Sequence, residues 1–260
     1  RGDSVMGAFA AMAWNGFREA RRNRVTVLVA AFALLLLLAT TLVTEVTVST
    51  FDRVVTDFGL GVMSLLLVFL SVYLSSGLIS REIERRTIFL MVSKPLSRTR
   101  FLLARLAGNM LTLGVLLVAM TLLFWVQLAL HRSPITQPQL AALGGLYLEL
   151  FVLTSAGFLM STFASQLVSA LVTTGLYFAG HLCSDIYNLG AASKVELIQW
   201  VSKATYYALP NLERLNFRPR ATYGIEVTAV ELGSATLYAL GWGALFCVLA
   251  AIVFERRDFR

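Results

Sequence analysis

The stretch Ser80–Leu106, SREIERRTIFLMVSKPLSRTRFLLARL, is the one long, charge-dense interruption between segments otherwise apolar enough to sit in lipid. Arg81, Glu82, Glu84, Arg85 and Arg86 crowd together, and Glu82 with Arg86 is an i,i+4 pair that supports a short, solvated helix. Lys94-Pro95-Leu96-Ser97-Arg98 then breaks it, because proline disfavours helix in the residue before it, and Ser97 can cap the next helix. The reading is a helix, a break, and a second amphipathic start that leads into a membrane span.

Composition agrees with that reading. A chain of 260 residues with 57% hydrophobic content, 14% charge and a mean hydropathy of +0.73 lies far from an ordinary soluble domain. The expectation is an all-α polytopic membrane protein, with residues 1–260 forming a single transmembrane domain. The two cysteines, Cys183 and Cys247, sit in different apolar segments, so neither a disulfide framework nor a zinc-ribbon spacing is available. No small-residue cleavage site follows the first apolar run, and no cleavable signal peptide is expected.

Upstream of the charged stretch, Phe9, Met12, Ala13, Gly16, Phe17 and Ala20 make one helical stripe, with Asn15, Arg18, Glu19 and Arg22 on the other face. Residues 8–24 therefore read as an interfacial helix. Six spans follow, at 25–44, 58–79, 106–130, 139–162, 167–187 and 232–254, each long enough at about 1.5 Å per residue to cross a hydrocarbon core of roughly 30 Å. An acidic-leaning loop, Glu45 to Asp57, joins the first two. The link between the fourth and fifth is so short that these spans must be antiparallel neighbours. The segment 188–230 is polar but carries Val195, Leu197, Ile198, Trp200, Val201 and Ala204, the pattern of a helix on or dipping into the membrane surface, ended by Leu209-Pro210-Asn211.

Orientation comes from the distribution of Lys and Arg. Placing the N-terminus, the Ser80–Leu106 stretch and the C-terminus on one side puts fifteen of the 22 basic residues there. Both termini and that loop are then cytoplasmic, and 188–230 is external. The net charge of +7 follows from this topology and needs no nucleic-acid partner.

The order Glu82, Glu84, Arg86-Thr87, apolar Ile88 to Val92, Pro95-Leu96-Ser97-Arg98, and Arg105 before a glycine-containing span resembles the permeases, or membrane subunits, of ABC-2 type transporters. One departure is Arg86, where many relatives have glycine. The resemblance implies that 80–100 is a cytoplasmic coupling loop between spans two and three, whose helix docks on a separate ATP-hydrolysing subunit. Arg81, Glu82, Glu84, Arg85, Arg86 and Thr87 would carry that contact. It further implies export or extrusion across a bacterial inner membrane, a second permease copy in a homodimer, and ATP and Mg bound by the partner ATPase, with no cofactor on this chain.

The residues themselves exclude several chemistries. No G-x-x-x-x-G-K-[ST] loop is present, so the chain is not its own ATPase, and with His131 and His181 as its only histidines it cannot form an H-E-x-x-H site. No catalytic residue is assigned. His181, Cys183 and Asp185 invite a metal reading, but on a helix Cys183 points away from the other two, and the group reads instead as the polar outer end of span five. Glu149 is the more informative group. It lies near the middle of span four, where insertion of a charged residue costs about 2.5–3.5 kcal/mol. It either faces the bundle interior along a translocation path or fixes helix packing through partners such as Thr154 or Ser155.

Arg105 and Glu231, at span ends, are expected to snorkel to the interface. Ala235, Ala239 and Gly243, and likewise Gly157, Ser161 and Ser165, form small-residue faces suited to close helix contact. Two rival functions remain open: an ion-coupled channel or secondary transporter, and a mechanical membrane anchor that signals to an external or periplasmic partner through 188–230.

Overall fold

The computed structural model describes residues 25–46, 51–77 and 98–256. The expected interfacial helix at 8–24 and the coupling residues Arg81 to Thr87 lie outside the described residues. Within them the chain is helical throughout: α1 (Val25–Val46), α2 (Phe51–Ser76), α3 (Arg98–Leu130), α4 (Gln137–Phe163), α5 (Gln166–Ala192), α6 (Glu196–Ala208), a 3-10 turn (Leu212–Leu215), α7 (Arg218–Tyr223) and α8 (Ala229–Arg256).

Five stretches, Asp52–Ser76, Thr99–Leu130, Gln137–Phe163, Gln166–Ala192 and Ala229–Phe254, are long and apolar enough to cross a membrane, and α1 adds a shorter apolar stretch at Val29–Thr41. Helix α4 is the hub of the bundle. It packs most extensively on α8, then on α2, α5, α3 and α7. The core between these helices holds Phe32, Met63, Phe124, Leu150 and Phe158, all fully buried.

Local chemistry sets the helix ends. Pro138 stands in the first turn of α4, where its missing N–H costs nothing, and the Thr136 N–H donates to Gln139 Oε1 at 3.3 Å. Three residues after α4 ends, α5 begins behind Ser165, whose hydroxyl accepts from the Val168 N–H at 3.5 Å. That tight link forces α4 and α5 antiparallel. Thr228 and Glu231 cap α8 reciprocally: the Glu231 carboxylate accepts from the Thr228 N–H at 3.0 Å, and Thr228 Oγ1 accepts from the Glu231 N–H at 3.3 Å.

The loop read as Glu45 to Asp57 is largely helix, since α1 runs to Val46 and α2 begins at Phe51. Polar residues at the start of α2 are accommodated because each finds a partner. Asp52 accepts from the Ser133 hydroxyl, Arg53 lies over the Tyr223 ring at 5.9 Å, and Asp57 accepts from Thr222 at 3.3 Å. These contacts gather the starts of α2, α4 and α8 and the ends of α3 and α5 at one end of the bundle. The end of α2, the start of α3, the α4–α5 link and the end of α8 lie at the other.

The face of α8 packs where the sequence places it, and so do Gly157 and Ser161 of the second face; Ser165 does not belong to that face, because α4 ends at Phe163 and Ser165 is exposed as the N-cap of α5. Ala235 and Ala239 are buried, and a side chain at Gly243 would strike the Phe151 ring, so this face of α8 lies directly on α4. Gly157 of α4 receives Ser75 of α2, and its carbonyl accepts from Ser169 of α5 at 3.2 Å.

Candidate functional site

After α5 the chain folds back along the last turns of that helix as α6, with Ser202 against Gly190 and the Thr205 carbonyl against Cys183, and then turns inward. Pro210 forbids continuation of α6, and Asn211 is fixed at the turn: its N–H donates to Tyr238 Oη at 2.7 Å and its Nδ2 to Ser184 Oγ at 2.8 Å. The 3-10 turn Leu212–Leu215 wedges between α4 and α5, with Leu212 and Leu215 at 0% exposure. Two glycines make the seat. A Cβ on Gly180 would lie 2.7 Å from the Leu212 side chain and 2.8 Å from the Pro210 carbonyl oxygen, and one on Gly145 would collide with the Leu215 carbonyl oxygen. Gly145 lies about 12 Å along α4 from its start, so the turn dips well below the bundle rim. Helix α7 closes behind it, ending at Gly224 in the left-handed region at φ 68°, and Gln137 exchanges two hydrogen bonds with the Val227 backbone at 2.9 and 3.2 Å.

This inserted turn, here called the plug, brings an acid from the mouth of the bundle to the imidazole of α5. His181 of α5 stands between two carboxylates, with Nε2 2.9 Å from Glu149 Oε1 and Nδ1 3.0 Å from Glu213 Oε2. Glu149 is 2% exposed, His181 16% and Glu213 43%, so the line leads from a dry interior to an open mouth. Glu213 also accepts from Asn216 Nδ2 at 3.1 Å, and the Tyr177 ring packs edge-on against the imidazole at 4.8 Å between centroids. Burial pushes the Glu213 carboxyl up, but hydrogen bonds from His181 and Asn216 and the nearby guanidinium of Arg218 outweigh it and hold the group below the ordinary carboxylate range. Beyond Glu213 lies a cleft of about 400 Å³ lined by Arg214, Arg220, Glu231 and Tyr238, which gives water access to the outer carboxylate.

The structure places Glu149 as a buried, bundle-facing group and corrects its expected partners. Thr154 faces α2, where its hydroxyl is 2.8 Å from that of Ser71, and Ser155 donates to the Phe151 carbonyl at 2.8 Å and faces Cys247 of α8. Five or six residues along a helix is the wrong turn to reach Glu149. The true partner was legible in the hairpin, since Glu149 and His181 stand equally far from Ser165 and antiparallel neighbours at equal distance from a tight turn share a depth. His181 and Cys183 diverge: the Cys183 thiol lies against the Thr205 carbonyl of α6 at 3.9 Å, and Asp185 is exposed. Glu231 does not snorkel freely, because Arg220 grips it through two hydrogen bonds of 2.7 Å. Arg105 lies over the Phe101 ring at 5.8 Å.

A bundle of long apolar helices, with a buried carboxylate paired inside it and a plugged mouth at one end, defines a multi-pass integral membrane protein. The family described as ABC-2 family transporter protein matches residues 10–259, and the chain belongs to it: this is the membrane permease subunit of an ABC transporter. No curated protein matches the sequence.

Proposed function

We propose that this permease couples ATP hydrolysis by a separate cytoplasmic ATPase to export or extrusion of a substrate across the bacterial inner membrane. In this reading α1 is the sixth crossing, both termini are cytoplasmic, two copies pair as a homodimer, and each docks one ATPase through Ser80–Thr87, aided by the 8–24 helix. The observation that carries it is the family match across residues 10–259, which includes the charge-dense 80–97 stretch. Supporting it, that stretch joins the end of α2 to the start of α3 at the bundle end opposite the plug. A displacement imposed at one end is thereby separated by the whole helix length from the mouth it must open. ATP and Mg belong to the partner in this scheme, and the permease contributes the lever, the path and the plug.

The test is to express the chain with its chromosomal neighbours and purify it in mild detergent. A Walker A protein should co-purify and hydrolyse ATP, and charge reversal at Glu82 or Glu84 should uncouple that hydrolysis from transport while insertion stays intact. Unchanged transport in those variants removes the docking role. A stable chain without any ATPase partner, conducting protons in the absence of nucleotide, replaces this reading with an ion-coupled one.

A further inference from the structure

We propose that Glu149, His181 and Glu213 form a two-proton binding site that latches the plug, and that loss of one proton releases the plug from α5. The inference rests on the packing of α4, α5 and the plug and holds whatever the direction of transport.

The proton count follows from the geometry. An imidazole flanked at 2.9 and 3.0 Å by carboxylate oxygens makes two hydrogen bonds only if one proton lies in each gap. The three groups therefore hold two protons between them. With one proton gone, lone pairs face each other across one gap and that contact must open. The inner gap has nowhere to open to, because Glu149 is sealed in the bundle. Glu213 is half exposed and borders the open cleft, so water replaces its contact with His181.

Nothing else packed here substitutes for the lost bond. Arg218 from α7 lies beside Glu213 and Tyr177, and Tyr177 presents a ring edge to His181. Helix α2 carries no charged residue from Phe58 to Gly77, and the charged side chains of α6, Glu196 and Lys203, are exposed. What then retains the plug is the apolar grip on Leu212 and Leu215, the two hydrogen bonds of Asn211 and Arg214 over the Tyr238 ring at 5.3 Å, while Arg220 stays bound to Glu231 of α8 and so cannot follow Glu213; Gly224 is the joint at the far end. The site thus makes the closure of the mouth depend on the pH of the solution in the cleft.

The full chain, purified with its partner if one co-purifies and held in phosphatidylcholine–phosphatidylglycerol nanodiscs, is followed by millisecond-mixing hydrogen–deuterium exchange from pH 6 to pH 11, with rates corrected for intrinsic pH dependence. Peptides covering residues 209–223 should lose about ten- to hundredfold in protection as pH rises, the worth of a charge-assisted hydrogen bond, while peptides from the centre of α4 stay protected. In His181→Gln, which has no titrating ring, the pH step should vanish. Nitrogen-15 spectra of histidine-labelled wild-type protein, with only His131 and His181 to assign, should show His181 changing state over the same pH interval. Constant protection of 209–223 across the range, or a pH step that persists in His181→Gln, overturns the latch. A His181 spectrum that does not change where the plug opens also overturns it.

Discussion

Helix α6 and the plug come from one connecting segment and meet opposite environments. Trp200 on α6 is 69% exposed, as are Leu197 and much of the same face, whereas Leu212 and Leu215 a few residues on are sealed between α4 and α5. An outward apolar face has no neighbouring side chains of this chain to match, so many residues satisfy it. The plug instead requires two glycines, a proline at its entry and an acid at one position. The difference teaches where to expect tolerance: the more hydrophobic element is the more replaceable one.

Substitutions sort along that comparison. The largest effect is expected at the seat. Gly145→Val pushes a branched side chain into the Leu215 backbone carbonyl, which cannot rotate away, and should cost about 3 kcal/mol or more in thermal unfolding in detergent, with exchange protection of 209–223 lost first. A variant as stable and as protected as wild type would mean that the plug does not sit on Gly145. Next comes Glu149→Leu, which strands His181 Nε2 in the interior and should cost about 1–3 kcal/mol, whereas Glu149→Leu combined with His181→Leu should recover much of that loss. Additive losses in the double-mutant cycle would dissolve the pair.

A smaller effect falls on Glu213 and carries a sign. Its carboxyl titrates below the ordinary range in the folded protein, so its stabilisation is present from above that range up to the pH at which the latch loses its proton, and it fades as pH falls through the lowered value. Thermal midpoints of wild type and Glu213→Gln should therefore differ near neutrality and converge in acid; curves that run parallel throughout would deny the carboxylate its role. The smallest effect is expected on α6, where Trp200→Ser should shift stability by no more than about 0.5 kcal/mol in detergent and leave plug protection unchanged. A Trp200 variant that exposes 209–223 would erase the distinction between the two regions.

The helices were legible because a membrane simplifies the code. Long apolar runs give the spans, while the caps at Pro138, Ser165 and the Thr228–Glu231 pair, which act within a single turn, start the helices one to three residues before the apolar runs begin. The close contacts of Gly157 and Gly243 were legible as small-residue faces, though their partners Ser75 and Phe151 were not. Glu149 announced itself through the cost of placing it in an apolar span. Its partner was sought among residues near in sequence, while the hairpin symmetry about Ser165 pointed to His181. Glu213 could not have been found that way. Its arrival beside His181 depends on a backbone turn fitting between glycines on two separate helices, and no periodicity in 188–230 encodes that insertion. The partner of Glu231 was hidden for a related reason, since Arg220 reaches it only once α7 has folded back over the rim.

The seam between α4 and α8 has a mechanical consequence. Phe151 lies in the notch left by Gly243, and one turn further Ser155 meets Cys247, so ring and notch work like a key in a slot. Sliding α8 along α4 would drive the Phe151 ring into the backbone on either side, whereas tilting both together disturbs neither contact. At 27 and 28 residues the pair is a stiff oar about 40 Å long. Its blade end holds Gly145 and the Gln137–Val227 bonds beside the plug, and its handle is the end of α8 at the opposite rim. A small stroke at the handle therefore moves the seat of the plug directly, with no relay of intervening loops.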